Sequence, residues 1–233
     1  MQLENAVALV TGANRGLGLA FTNALLERGV RKVYAAAREP VPSAVPGLVP
    51  VRLDVTRPEQ IEALAREAGD VTLLINNAGI LQSTHLTSDD VLRRARNEIE
   101  TNYLGPLATS RAFAPILARN GGGGIINVLS VLSWHAFPGS STYSASKAAA
   151  WAMTNGLRQE LRGQKTQVLA LHVGYMDTDM AQQVTAPKSH PTDVVRLTLD
   201  ALEAGQDEVL ADDVSRRVKQ GLSSGGYLAA LGA

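Results

Sequence analysis

The sequence of 233 residues contains no cysteine. That excludes disulfides, thiolate catalysis and cysteine-built zinc sites, and it suits a reducing compartment. Neither sign of charge is in excess. The 22 lysines and arginines balance 22 aspartates and glutamates, so no global field points to nucleic acid or an anionic membrane. No run of about 18 apolar residues occurs, so no membrane span is expected. The opening "MQLENAVALVTG" lacks a basic flank followed by a long apolar stretch, and a cytoplasmic location is the expectation. His85, His135, His172 and His190 are scattered without H-x-x-x-H spacing, which gives no reason to expect a metal. Internal repeats and linker-like segments are also missing. With 45% apolar residues, one domain over 1–233 can bury a substantial core.

What is present is an alternation. Strand-like apolar runs fall at 6–11, 32–37, 49–55, 71–76, 125–130, 168–173 and 208–211, most of them continuous, as parallel strands buried on both faces require. Helical patterns lie between them near 16–28, 58–67, 88–119, 142–162 and 192–204. This order predicts a single-domain, Rossmann-type, doubly wound α/β fold: a mostly parallel seven-stranded sheet with helices on both faces. The proline-rich 39–47 and "GGGG" at 121–124 read as loops, and 222–233 as a loosely held tail.

"TGANRGLG" (11–18) follows the first strand and opens a helix. Gly12, Gly16 and Gly18 allow a tight turn and close approach of a pyrophosphate, which the helix N-terminus favours. The spacing is not the generic G-x-G-x-x-G, so that motif alone does not carry the point. An acidic residue at the end of the second strand, which would hold a ribose 2′-OH, is also missing: the strand runs "YAAARE", with Ala37 and then Arg38. Arg15 adds a second cation nearby. Two guanidiniums suit a 2′-phosphate, which predicts NADPH/NADP+; either arginine alone reads equally well as a solvated charge.

"YSASK" (143–147) places Tyr143 and Lys147 four apart on one helical face. A cation beside a phenol favours the phenolate, so Lys147 is expected to lower the titration of Tyr143. Ser130 stands thirteen residues before Tyr143, and Asn102 lies in "ETNYLG" after "NNAG" (76–79). Together these motifs, in this order and spacing, resemble the short-chain dehydrogenase/reductase family over roughly 7–178, in particular its carbonyl-reductase-like members.

The resemblance implies roles. Tyr143 would protonate a carbonyl oxygen, Ser130 would orient that carbonyl, and Lys147 would bind the nicotinamide ribose. Asn102 would hold a water leading from Lys147 to solvent, or else satisfy a helix kink before Gly105 and Pro106. Cofactor contacts would come from Gly12, Asn14, Arg15, Gly16, Leu17, Gly18, Arg38, Asp54, Val55, Asn77, Ala78, Gly79, Gly174 and Thr178, together with Tyr143 and Lys147. Asp54 reads equally as a turn acceptor. Ser133, Trp134 and Phe137 fall where relatives face substrate, beside Ser130 and Tyr143, although Trp134 and Phe137 could instead fill core.

Two departures stand out. Val173 occupies the place where proline usually stiffens the turn before Gly174, and Leu129 replaces the first residue of a common Ser-Ser pair. The expected activity is reversible NADPH-dependent reduction of a small-molecule carbonyl to an alcohol, at a fairly open site because only about a dozen residues separate 179 from 191. Alternatives are a ketoreductase for a carrier-bound acyl group, using "RRARN" (93–97) as a basic face, or a cofactor-sensing regulator. The presence of Tyr, Lys and Ser together favours an enzyme. Relatives pair through the long helices, so a homodimer or homotetramer is a possible assembly.

Overall fold

A computed structural model describes residues 1–228. Seven strands form one sheet in the order β3-β2-β1-β4-β5-β6-β7. They are β1 (Val7–Thr11), β2 (Lys32–Ala37), β3 (Leu48–Arg52), β4 (Leu73–Asn76), β5 (Gly123–Val128), β6 (Thr166–His172) and β7 (Glu208–Leu210), and every pairing is parallel. The sheet is thus fully parallel, where the sequence predicted a mostly parallel one. Its order reverses between β1 and β4, which opens the crevice where such sheets bind ligands.

The central strands have polar neighbours only at their ends and are buried along their length, as the uninterrupted apolar runs required. Apolar side chains of alternate strand residues feed two cores. One lies under α1 (Gly16–Glu27) and α6 (Pro191–Glu203), around Phe21, Leu25, Val195 and Leu199. The other lies under α2 (Pro58–Glu67) and α4 (Gly105–Arg119), around Ile61, Phe113 and Leu117. No helix among the described residues is long and apolar enough to cross a membrane.

Three departures from the sequence pattern bear on the site. The helix expected over 88–119 is α3 (Val91–Ile99), a five-residue π segment (Glu100–Leu104) and α4 in succession. Pro106 has no N–H, so the α-helical donor to the Asn102 carbonyl is missing, and the wider π turn falls there. Strand β5 ends at Val128, which leaves Ser130 in extended backbone as the cap of a short 3₁₀ turn (Val131–Ser133) before α5 (Ser141–Glu160). After β7 comes an unforeseen helix, α7 (Asp213–Gly221), capped by Asp212. The part of the supposed tail at 222–228 forms two 3₁₀ turns, and 229–233 lie outside the described residues.

Candidate active site

The turn from β1 into α1 is built for close approach. Gly12 has φ +66°, and a Cβ there would meet the Ala78 Cα at 3.0 Å. A Cβ on Gly18 would stand 2.1 Å from the Gly12 carbonyl oxygen, so any side chain would force the turn apart. Helix α1 has no side-chain cap and no acidic residue in its first turn, which leaves its first N–H groups and positive end for an external anion. Asn14, Arg15 and Gly16 are exposed at that end, while Leu17 anchors the helix in the core. The cradle and its free donors fit the pyrophosphate of a dinucleotide.

"NNAG" is the brace of this turn. Asn77 Nδ2 donates to the carbonyls of Thr11 and Gly12 at 2.9 and 3.1 Å, and Thr11 Oγ1 accepts the N–H groups of Asn77 and Ala78, each at 3.0 Å. Asn76 points to the other side, where it joins Thr109, Ser110 and Asn127. Thr178 closes over the loop: a Cβ on Gly16 would touch its methyl at 3.3 Å.

The two predicted cations differ. Arg38 is exposed at the end of β2 and makes no hydrogen bond among the described residues. Arg15 is bound across the crevice to Asp179 at 2.8 Å, with both side chains about two-thirds exposed (70% and 68%). Asp54 acts as a turn acceptor, taking the Thr56 N–H at 2.9 Å and its hydroxyl at 2.7 Å. Burial opposes its ionisation, yet these bonds and the charges of Arg38 and Arg57 hold its carboxyl below the usual range. Val55 packs against Gly105, where a Cβ would come within 2.9 Å of it.

The catalytic candidates converge at the C-terminal end of β5. Ser130 Oγ accepts the Leu132 N–H at 3.1 Å, and Ser133 Oγ accepts the Ser130 N–H at 3.4 Å. Ser133 therefore supports Ser130 from within the turn. Lys147 reaches back from α5 to donate to the Val128 carbonyl at 2.8 Å, and its Nζ lies 5.7 Å from the centre of the Tyr143 ring. Both residues are buried. Desolvation pushes the lysine down to about 8. It pushes the tyrosine up to about 12, against the pull of the Ser130 hydroxyl and with the charge of Glu98 adding to the rise. The lowered phenol expected from the Tyr–Lys pair is therefore corrected for the cofactor-free chain, because burial outweighs any cationic effect of Lys147.

Asn102 is fully engaged as a clip. Its Oδ1 accepts the Ile80 N–H at 2.9 Å, and its Nδ2 donates to the Ile80 carbonyl and to Ser146 Oγ, each at 2.9 Å. The Asn102 side chain is therefore committed to Ile80 and Ser146. Gly79 lies between: a Cβ there would be 3.2 Å from Asn102 Oδ1 and 3.7 Å from Lys147 Nζ. A side chain at this position would crowd Asn102 and stand against the lysine.

A second layer that the sequence did not reveal lies behind Ser130. His172 Nδ1 is 3.1 Å from the Ser130 carbonyl, and burial takes its ring down to about 3, so it is neutral. Trp134 stacks on His172 at 3.8 Å and meets Trp151 edge-on at 6.1 Å. The expected substrate-facing Trp134 is thus largely committed to this wall; Phe137 is half-buried at the rim. Glu208 approaches His172 Nε2 at 3.7 Å and is paired with Lys219 of α7.

The turn after β6 also has an unforeseen partner. Gly174 N–H donates to Asp212 Oδ2 at 2.6 Å, and the other oxygen of that carboxylate caps α7 through the Ser215 N–H at 2.7 Å. Asp212 supplies the restraint that proline would have given. A cavity of about 420 Å³ at the far end of α5, lined by Asn155, Arg158, Gln159 and Arg162, contains none of these groups.

With this geometry in hand, the chain can be set beside known proteins. Residues 6–189 match the family described as short chain dehydrogenase. A short chain dehydrogenase from Burkholderia cenocepacia J2315, solved in complex with NADP, shares 46% identity and a TM-score of 0.90, with 97% of this chain and 96% of that one covered. The 3-oxoacyl-(acyl-carrier-protein) reductase FabG of Vibrio cholerae is 34% identical over 196 residues, 78% of each chain. A Burkholderia phymatum family member solved with NAD has the same fold, with a TM-score of 0.84 at 24% identity over 97% of this chain and 96% of that one.

Proposed function

The chain belongs to the short-chain dehydrogenase family and is an NAD(P)-dependent oxidoreductase; on that footing, we propose that it uses NADPH to reduce a carbonyl compound to an alcohol. The observation that carries this reading is the convergence of the buried Tyr143 and Lys147 with Ser130 at the C-terminal end of β5, where burial raises the phenol. A phenol in that state is protonated at neutral pH and poised to donate.

The glycine turn and the α1 N-terminus would hold the pyrophosphate, Asp54 and Val55 the adenine side, and Lys147, Gly79 and Thr178 the nicotinamide half. When bound, the cofactor supplies the hydride. Tyr143 Oη gives its proton to the carbonyl oxygen. Ser130 Oγ, whose lone pair takes the Leu132 N–H, keeps its own hydrogen free to donate to the same oxygen. Lys147, brought down to about 8, exchanges protons readily and replenishes the phenol. The Asn102 carbonyl, freed by Pro106, accepts a water at the outer end of that path.

Preference for NADPH rests on Arg38 and on Ala37, which brings no carboxylate to the 2′ position. The Burkholderia relative solved with NADP supports it. The substrate side is framed by the 174–190 segment, pinned at its base by a Met176–Ser189 bridge, with Tyr175 and Met180 exposed. Such a small apolar rim suits varied, partly apolar carbonyl compounds.

A carrier-bound acyl group is the second reading, favoured by the name of the Vibrio relative. The basic face it needs is weakened, because Arg93 and Arg94 are both paired with Asp90. The deciding experiment is a panel of aldehydes, ketones, diketones, quinones and an acyl-carrier thioester with NADPH and NADH side by side. Turnover of free carbonyls with NADPH is expected; turnover of the thioester alone would establish the second reading instead.

A further inference from the structure

Ser130 stands two residues past the end of β5, and its polar groups are held one by one. Its N–H goes to Ser133 Oγ, its Oγ accepts the Leu132 N–H, and its carbonyl accepts the Ser133 N–H at 2.9 Å. All three bonds come from within the turn that the serine opens. A fourth comes from outside it: His172 Nδ1 on β6 lies 3.1 Å from the same carbonyl. A carbonyl oxygen offers no hydrogen, so the neutral ring carries its proton on Nδ1 and donates.

This bond completes a clamp. The peptide that leaves Ser130 is planar, and its N–H, on Val131, already donates to the Val173 carbonyl at 3.0 Å. His172 takes hold of the opposite edge of that plane. Two consecutive residues of β6 therefore fix the peptide from both sides, which sets ψ of Ser130 and the direction in which its Oγ projects. The ring is itself held, stacked on Trp134, which meets Trp151 edge-on.

Packing alone does not account for an imidazole here. His172 is completely buried, on a strand whose other inward residues are apolar, and a leucine would fill the place at less cost. Nε2 has no hydrogen-bond partner among the described residues. Glu208 Oε1, at 3.7 Å, is too far to bond, and its charge is answered by Lys219 of α7. The one hydrogen bond of the ring is the bond to Ser130.

Resting on the reductase reading above, we infer that His172 is a positioning residue: its Nδ1–H anchors the Ser130 main chain to β6 and so aims the Ser130 hydroxyl at the carbonyl oxygen of the substrate. His172 touches no reacting atom and acts only through Ser130.

Two variants divide donor from packing. His172→Phe keeps a flat ring against Trp134 but has no proton to give; His172→Asn gives up the ring and keeps an N–H near the place of Nδ1. In His172→Phe, kcat for the best carbonyl of the panel should fall about tenfold, with the Kd of NADPH within about twofold of wild type. His172→Asn should recover most of that rate. The opposite ranking, which a space-filling residue would give, overturns the inference. In a Ser130→Ala background, His172→Phe should change kcat by no more than about twofold, because the two residues act as one unit. An undiminished tenfold loss there overturns the inference as well. A third readout needs no turnover: hydrogen exchange of the Leu132 amide, whose acceptor is Ser130 Oγ, should quicken about tenfold in His172→Phe and not in His172→Asn. If the wild type reduces no carbonyl, the reductase reading alone fails, and the Leu132 exchange still decides for His172. If His172→Phe does not fold, His172→Leu must show the same pattern.

Discussion

At one end of the crevice, Arg15, Asp179 and Arg38 stand in solvent; at the other, Glu98, Lys147, His172 and Tyr143 are buried. Ionisable groups behave differently in the two places. Water screens the first group, so each charge contributes little until a ligand displaces that water. The second group is governed by desolvation, which moves Lys147 to about 8, His172 to about 3 and Tyr143 to about 12. One end offers its charges through solvent. The other sets protonation states through the fold itself.

The sharpest way to break this contrast is Tyr143→Phe. It should lower carbonyl reduction by about 10³-fold while NADPH binding, measured by fluorescence titration, stays within about twofold. An active variant would mean that the buried end does not supply the proton.

Next in size is a pH effect on stability. His172 titrates at about 3 in the fold against 6.5 normally, so the unfolded chain takes up a proton that the native chain refuses. Stability should therefore fall as pH drops from about 6.5 to about 3, by a few kcal/mol, roughly. Lys147, lowered from 10.5 to about 8, acts on the other limb: stability should rise as pH climbs through that window. Denaturant midpoints across pH check both, and His172→Gln should flatten the acid limb.

The exposed end should respond more gently. Ala37→Asp with Arg38→Ala should shift the NADPH-to-NADH ratio of kcat/KM by roughly ten- to a hundredfold toward NADH, the worth of a charged hydrogen bond. Smallest of all, Asp179→Ala should change stability by no more than about 0.5 kcal/mol and strengthen NADPH binding by at most about fivefold as Arg15 is released. A large thermal destabilisation by Asp179→Ala would show that this end is not simply solvated surface.

What could be read from the sequence follows the same division. The glycine turn, "NNAG" and "YSASK" are local: their chemistry is fixed by spacing along one strand–turn–helix unit, and the structure places them together at the crevice. Arg38 also stands where the strand pattern put it, because β2 ends at Ala37 as its apolar run ends. Less legible were groups whose meaning depends on distant partners. Glu98 reads in sequence as one more polar residue of an arginine-rich helix, and only its burial against α5 sets it apart. His172 reads as one more residue of a buried strand, and its contacts come from Trp134, Glu208 and Ser130. The burial of Tyr143 reversed the direction of shift that the helical spacing suggested, since spacing reports neighbours and not solvent.

The hydrogen bond from Gly174 to Asp212 has a consequence in the order of synthesis. A proline before Gly174 would stiffen the turn as soon as that residue was made. Here the restraint comes from a carboxylate 38 residues later, at the start of α7. A nascent chain that has emerged through Thr178 already holds its glycine turn, its serine and its tyrosine, yet the turn at Gly174 still lacks its anchor. The turn after β6 therefore takes its full set of contacts only once the start of α7 has been made.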